Sequence, residues 1–353
     1  MKKKVLAMLL LGAGILTASA APALASYDTN WVWTDEPMTQ TPKYADIVWA
    51  TVPDASGEDV DLKLNIFQAD DVTENSPVVV FIHGGAWREG SYALSEEFAG
   101  DWTNEEISSI LSLVDEGVSV VSIDYRLSQQ AAYPAQIEDC KGAVRWIKAH
   151  ASEYGLDPER VACAGTSAGA HLALLLATTG DVAELEGETG GNLDQSSRVM
   201  ACVDFFGMTD IINLSSDLYD TPYNIDADSA YYQVDSYDSA RSQLIGFNAE
   251  GQGMGVLRAE QNNPDTEYGD YLELVKQASP IYYVSSDDAP LFMGQGGKDP
   301  RVAVAQAQRL QSLYIQAGLE ATLCINSKAG HGDLGKYVNE GALQFLRVQF
   351  GLE

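Results

Sequence analysis

The sequence predicts an α/β domain with a mostly parallel central sheet and helices on both faces. Three observations carry that prediction. Strand-like and helix-like apolar periods alternate along most of the 353 residues. The run Pro77-Val78-Val79-Val80-Phe81-Ile82 is apolar throughout, as in a strand buried on both faces, and it stops at His83-Gly84-Gly85. Further on, a strand at 160–164 and a helix at 167–178 flank Gly165-Thr166-Ser167-Ala168-Gly169.

The elements follow in order. Val60, Leu62, Leu64 and Ile66 alternate with a period of two, so a half-buried strand enters the sheet there, antiparallel near the N-terminus. A helix is expected from Thr103, with Thr103 and Glu106 as a capping box, Ile107, Ile110, Leu111 and Val114 as its apolar face, and Gly117 as its stop. A strand at 118–123 precedes a helix with Pro134 at its first position, running to about His150. Strands at 199–206, 290–293 and 321–325 alternate with helices at 302–317 and 338–350. Between 210 and 280 no strand pattern appears, and 181–280 reads as a cap or insertion. From 181 to 240 Arg198 is the only basic residue against thirteen acids, with Tyr219, Tyr223, Tyr231, Tyr232 and Tyr237 interspersed. One reading is a solvated excursion with a few tyrosines folded inward; the other is a lid whose tyrosine rings contact a ring-bearing substrate.

With 46% hydrophobic and 20% charged residues, the chain has enough apolar material for a large core, which excludes disordered, collagen-like and heptad-repeat readings. Lys and Arg number 21 against 51 Asp and Glu, a formal charge of −30. Such a surface repels phosphate backbones and anionic lipid, so nucleic acid and membrane surfaces are not expected partners. Residues 1–25 read as a signal peptide. Lys2, Lys3 and Lys4 precede twelve apolar residues, too few to span a bilayer, and Ala23-Leu24-Ala25 supplies the small-x-small cleavage site before Ser26. Removing the three lysines deepens the charge to −33. The expected product is a secreted or extracytoplasmic domain, 26–353, with no membrane attachment. Of the four cysteines, Cys163, Cys202 and Cys324 sit in apolar runs, and Cys140 lies in the helix before them; unpaired core thiols are expected rather than two disulfides.

Gly165-Thr166-Ser167-Ala168-Gly169 fits G-x-S-x-G between strand and helix, where the two glycines allow a turn sharp enough to display the Ser167 hydroxyl. His83-Gly84-Gly85-Ala86-Trp87 follows a strand and leaves backbone N–H groups free for a developing oxyanion: those of Gly85 and Ala86, joined by that of Ala168. Gly84 serves the turn and is the less direct donor. Trp87 is a candidate substrate contact. The base must come from four histidines. His83 belongs to the glycine turn, His150 ends a helix, and His171 lies one turn beyond Ser167 on the core side. His331, in Ala329-Gly330-His331-Gly332-Asp333 past the last strand, is the remaining candidate. Asp299 exits the strand PLFMGQ 32 residues before it and is the candidate for the orienting acid. Asp287 and Asp288 precede that strand, at the wrong edge, and Asp333 is too near His331.

On these residues the chain resembles an α/β-hydrolase of the carboxylesterase type, close to the hormone-sensitive-lipase-like group. Within it, the chain is most similar to the bifunctional feruloyl and acetyl xylan esterases of bacteria. The motifs are HGGAW, SIDYRLS, YPAQIEDCKGAVRWIKAHA, GLDPERVACAGTSAGAHLALLLATTG, VDFFGMTD, ASPIYYVS and AGHGD, spread over most of the chain past the leader. The resemblance implies an α/β-hydrolase fold and a Ser167–Asp299–His331 hydrolase acting on small-molecule or polysaccharide-linked carboxylic esters, without metal or organic cofactor. Two departures bear on the pocket: GQGGKDPRVA replaces the family's more usual HG-x-x-D-x-x-VP, and FGMTD replaces FGPTD. The competing readings are a serine peptidase of the prolyl-oligopeptidase type and a non-catalytic binding protein on the same fold. The first usually adds an N-terminal propeller that the roughly 50 residues before the core sheet cannot hold. The second usually lacks a site element that is present here.

Overall fold

The computed structural model describes residues 40–352 except 71–74, 95–103, 181 and 220–233. The signal peptide, its cleavage site after Ala25, Thr103, Tyr223, Tyr231 and Tyr232 therefore lie outside the described residues, as does the side chain of Tyr219.

Eight strands form one sheet in the order β1-β2-β4-β3-β5-β6-β7-β8. β1 (Tyr44–Pro53) and β2 (Asp59–Phe67) are antiparallel, joined by a turn in which Asp54 Oδ1 accepts the N–H groups of Ser56 and Glu58 at 2.8 and 2.9 Å. β2 lies antiparallel to β4 (Ser119–Ile123). From there all pairings are parallel: β4 with β3 (Ser76–Ile82), then β5 (Leu156–Thr166), β6 (Cys202–Phe205), β7 (Leu291–Gly296) and β8 (Ala321–Asn326). Every residue of β3, β4, β6 and β7 is buried, which is why their sequences run apolar without alternation. β1 and β8 are the edges and are mostly half-exposed or exposed. β1 had no clean period of two because register shifts interrupt its pairing between Tyr44 and Ile47 and between Val48 and Ala50.

Helices cover both faces. α1 (Asn104–Ser112) is followed by a 3₁₀ turn that ends at Gly117, φ 84°. α2 (Ala135–Ala149) packs on α3 (Ala168–Thr178), while α1 packs against the C-terminal helix, Lys336–Phe350. Pro134 stands one place earlier than expected: it is the N-cap of α2, its carbonyl accepting the N–H groups of Ile137 and Glu138, rather than the first helical residue. All eleven residues of α3 are buried, lodged between the sheet and the layer outside it.

The region 181–280 does not leave the sheet as one insertion, because β6 lies within it. The excursion begins after β6 and consists of short helices: α4 (Leu214–Tyr219), α5 (Ala240–Ile245), α6 (Met254–Glu260) and α7 (Gly269–Gln277). Leu244, Ile245, Phe247, Leu257 and Val275 join the main core, and Tyr133 ties the segment in by donating its hydroxyl to Gln277 O at 2.7 Å. α8 (Val304–Gln316) and α9 (Lys336–Phe350) complete the domain. The four cysteines are free; Cys163 and Cys202 sit side by side on β5 and β6, fully buried, and Cys324 is half-buried.

Candidate active site

β5 delivers the chain into α3 through a turn with no room for side chains at its glycines. A Cβ on Gly165 would lie 2.5 Å from the carbonyl carbon of Gly169, and one on Gly169 would fall on the carbonyl oxygens of Ile82 and His83. Glycine at both positions lets α3 start against β5 and against the end of β3. Ser167, between them, has φ 53° and ψ −116°, a conformation an L-residue adopts only when its surroundings impose it. Its N–H donates to Phe205 O at 2.9 Å and its carbonyl accepts His171 N–H at 3.0 Å, so the backbone is fixed and only the hydroxyl is left to turn.

His331 meets that hydroxyl. Ser167 Oγ donates to His331 Nε2 at 2.8 Å, and His331 Nδ1 donates to Asp299 Oδ2 at 2.8 Å. Asp299 is 3% exposed and accepts from three further donors: Arg301 N–H at 2.8 Å, Val302 N–H at 2.9 Å, and Gln295 Nε2 at 3.0 Å. Phe206, held at φ 51°, leans its ring on the imidazole at 4.7 Å. The loop after β7 is tied to the histidine loop by Lys298 N–H, which donates to Ala329 O at 2.9 Å.

Beyond β3, Gly84 passes against Thr166 O and Ser167 Cβ, which sets the glycine turn beside the hydroxyl. Gly85 (φ 107°) and Ala86 (φ 53°) fold the turn so that Gly85 O accepts the N–H groups of Arg88 and Glu89. The N–H groups of Gly85, Ala86 and Ala168 donate to no carbonyl or side chain among the described residues. They are the donors expected for an oxyanion.

The other histidines are occupied. His83 is buried, stacks on Tyr125 at 4.4 Å, and donates Nδ1–H to Gly84 O at 2.8 Å; burial lowers its pKa to about 4. His171 donates Nε2–H to Ala278 O at 2.6 Å, and burial lowers it to about 4 as well. His150 caps α2, stacked on Trp146 at 4.2 Å. Trp87 departs from expectation: it is 2% exposed, with its ring edge-on to His171 at 5.2 Å, so the structure places it in the core rather than on a pocket wall. Asp287 and Asp288 lie at the opposite end of β7, Asp287 on Arg198 at 2.5 Å and Asp288 on Ser285.

Gln295 and Glu106 were not singled out for the site. Gln295 occupies the place of the family's more usual His in the HG-x-x-D loop, and its amide bridges Asp299 and Val302 O, the latter at 3.0 Å. The Glu106 carboxylate accepts Leu334 N–H at 2.8 Å, in the histidine loop. Nothing local marks that contact, since the partners are 228 residues apart.

A hydroxyl on a strained turn, an imidazole oriented by a buried carboxylate and three unpaired N–H groups are the parts of nucleophilic acyl transfer. Fold and site together define an α/β-hydrolase. The BD-FAE family model matches residues 64–314, and the chain belongs to that family. It is 27% identical to Esterase LipQ of Mycobacterium tuberculosis over 302 residues, 82% of this chain and 59% of that protein, so it spans little more than half of that relative's length. Among solved structures, a truncated form of a carbohydrate esterase from gut microbiota superposes with a TM-score of 0.69 at 24% identity, covering 89% of this chain and 98% of that one. A bifunctional GH43-CE protein of Bacteroides eggerthii gives 0.64 at 27% identity, over 82% of this chain and 33% of the other.

Proposed function

We propose that the protein is an exported serine carboxylic-ester hydrolase acting on acetyl or feruloyl esters of plant polysaccharide or on small esters. The observation that carries this reading is the unbroken line Ser167 Oγ–His331–Asp299 at 2.8 Å per step. Ser167 Oγ attacks the ester carbonyl as His331 Nε2 takes its proton. The oxyanion is held by the N–H groups of Gly85, Ala86 and Ala168. When the carbonyl re-forms, the C–O bond to the alcohol breaks and His331 returns the proton to the leaving oxygen. Water then repeats the sequence on the acyl-enzyme, with His331 as base, and releases the acid. Asp299 stabilises the imidazolium and holds the tautomer that keeps Nε2 free.

Membership in the BD-FAE family and a neighbour titled a carbohydrate esterase support the polysaccharide ester, and the basic, apolar, small-x-small pattern of residues 1–25 supports export. The test is a panel of p-nitrophenyl acyl esters beside acetylated and feruloylated xylan fragments, with Ser167→Ala in parallel. Wild type should release acid from the esters, and the variant should lose on the order of 10³-fold or more in kcat while its Tm holds. More than a tenth of wild-type turnover in Ser167→Ala would overturn the reading. N-terminal sequencing of the exported protein should begin at Ser26.

A further inference from the structure

Glu106 is an acid buried where the proposed chemistry does not use it. It is 0% exposed, on the inner side of α1, and burial pushes its carboxyl up to about 7. The charged groups that bear on it are Glu105 from its own helix and Asp333 from the histidine loop, both acidic and both raising it further. One oxygen, Oε1, accepts Leu334 N–H at 2.8 Å, and Oε2 has no partner among the described residues. Its remaining hydrogen bond is to its own backbone N–H, so Leu334 is the partner it reaches outside its helix, and burying a carboxyl with so few partners is unfavourable. A contact kept at that cost points to what it holds.

It holds the loop that carries His331. Leu334 follows the histidine by three residues, through Gly332 at φ 115° and Asp333 at φ 50°. The carbonyl of Leu334 accepts Asn326 Nδ2 at 2.9 Å, so α1 grips this residue's backbone from one side and the end of β8 from the other. On the near side of the loop, Ala329 O is tied to the loop of Asp299 through Lys298 N–H. His331 thus sits on a short span clamped at both ends, and its Nε2 comes within 2.8 Å of Ser167 Oγ.

We propose that Glu106 is a positioning residue for His331: through Leu334 N–H it sets the height of the histidine loop, and so the reach of Nε2 to Ser167 Oγ. The inference rests on the serine-esterase reading. Glu106 touches no reacting atom and acts only through the loop.

The test compares Glu106→Ala and Glu106→Gln, with reactive sites counted by a fluorophosphonate that labels the nucleophile. Per labelled site, Glu106→Ala should lose roughly ten- to a hundred-fold in kcat, the scale of a misplaced catalytic group, with KM within about two-fold. Glu106→Gln, whose amide oxygen still accepts from Leu334, should stay within roughly three-fold by the same scale. A second readout follows from the raised carboxyl. The folded state keeps its proton where the unfolded chain has lost it, so wild type loses stability as pH rises from about 4.5 to about 7. Glu106→Gln has no such proton, so its Tm relative to wild type should climb across that window. Unchanged kcat per labelled site in Glu106→Ala, with only Tm reduced, would make the residue a packing element and overturn the inference; so would a Gln variant as damaged as the Ala variant. If Glu106→Ala fails to fold, Asn326→Ala releases the other grip and should also lower kcat without raising KM; unaltered kcat there is equally fatal. Failure of the probe to label wild-type Ser167 would instead sink the esterase reading itself, and this inference with it.

Discussion

β7 has an aspartate near each end, and the two live in different chemistry. Asp288, before the strand, accepts the backbone N–H of Ser285 at 2.9 Å and its hydroxyl at 2.7 Å, and burial pushes its carboxyl up to about 6. Its neighbour Asp287 pairs with Arg198 on the surface. Asp299, past the strand, gathers two backbone N–H groups, the Gln295 amide and the His331 imidazole. The difference is one of edge. At the carboxyl ends of parallel strands the loops converge on a common crevice, so an acid there finds donors from several elements. At the amino ends, the loop of Asp288 folds on itself. Six of the eight non-glycine residues with positive φ among the described residues (Ala86, Trp87, Leu94, Ser167, Phe206 and Asp333) also belong to the loops or turns at the carboxyl edge. Strain is concentrated where side chains must be aimed.

The sharpest way to break this comparison is to make the same change at both ends. Asp299→Asn should lower kcat by about 10³- to 10⁴-fold near neutral pH, since an amide can stabilise the wrong imidazole tautomer, whereas Asp288→Asn should stay within roughly two-fold. Near-normal turnover in the first variant, measured on one acetyl ester, would dissolve the distinction. A smaller effect probes how Asp299 is held. Gln295→Leu removes one charge-assisted donor of about 1.5–3 kcal/mol, so kcat should fall by roughly ten- to a hundred-fold, with KM little changed. A loss confined to KM would mean that the amide serves the pocket instead. The smallest change is expected at Asp287→Asn. That pair with Arg198 is more than a third exposed on both sides, and such pairs contribute about 0–1 kcal/mol. Calorimetry should find Tm moved by about two degrees or less, and a larger drop would show the amino edge to be more than a passive border.

Much of the architecture could be read before any coordinates, because buried parallel strands and long amphipathic helices write their period into consecutive residues. The meeting of Ser167, Asp299 and His331 was legible for a related reason: each lies in a short local pattern at a strand's carboxyl end, and the strand order brings those ends together. What escaped depends on partners far along the chain. β1 hid behind its bulges. The helices between 214 and 277 are six to nine residues long, too short for a period to stand out. Trp87 reads as a wall residue beside a glycine turn, yet its backbone at φ 57° turns it inward onto His171. Glu106 carries the residue type of a capping box and spends its carboxylate on a loop 228 residues away.

The adjoining thiols of β5 and β6 bear on what holds the fold together. Cys163 and Cys202 adjoin in the middle of the sheet, sealed from solvent; Cys163 Sγ donates to Ala173 O at 3.5 Å, and burial pushes the Cys202 thiol well up. At Cys202 that burial disfavours the thiolate, the form that attacks a disulfide or oxidises. With all four sulfurs free, no cross-link is required to reach the native state. The folded domain is therefore held by no disulfide, and adding a thiol reductant should leave its Tm unchanged.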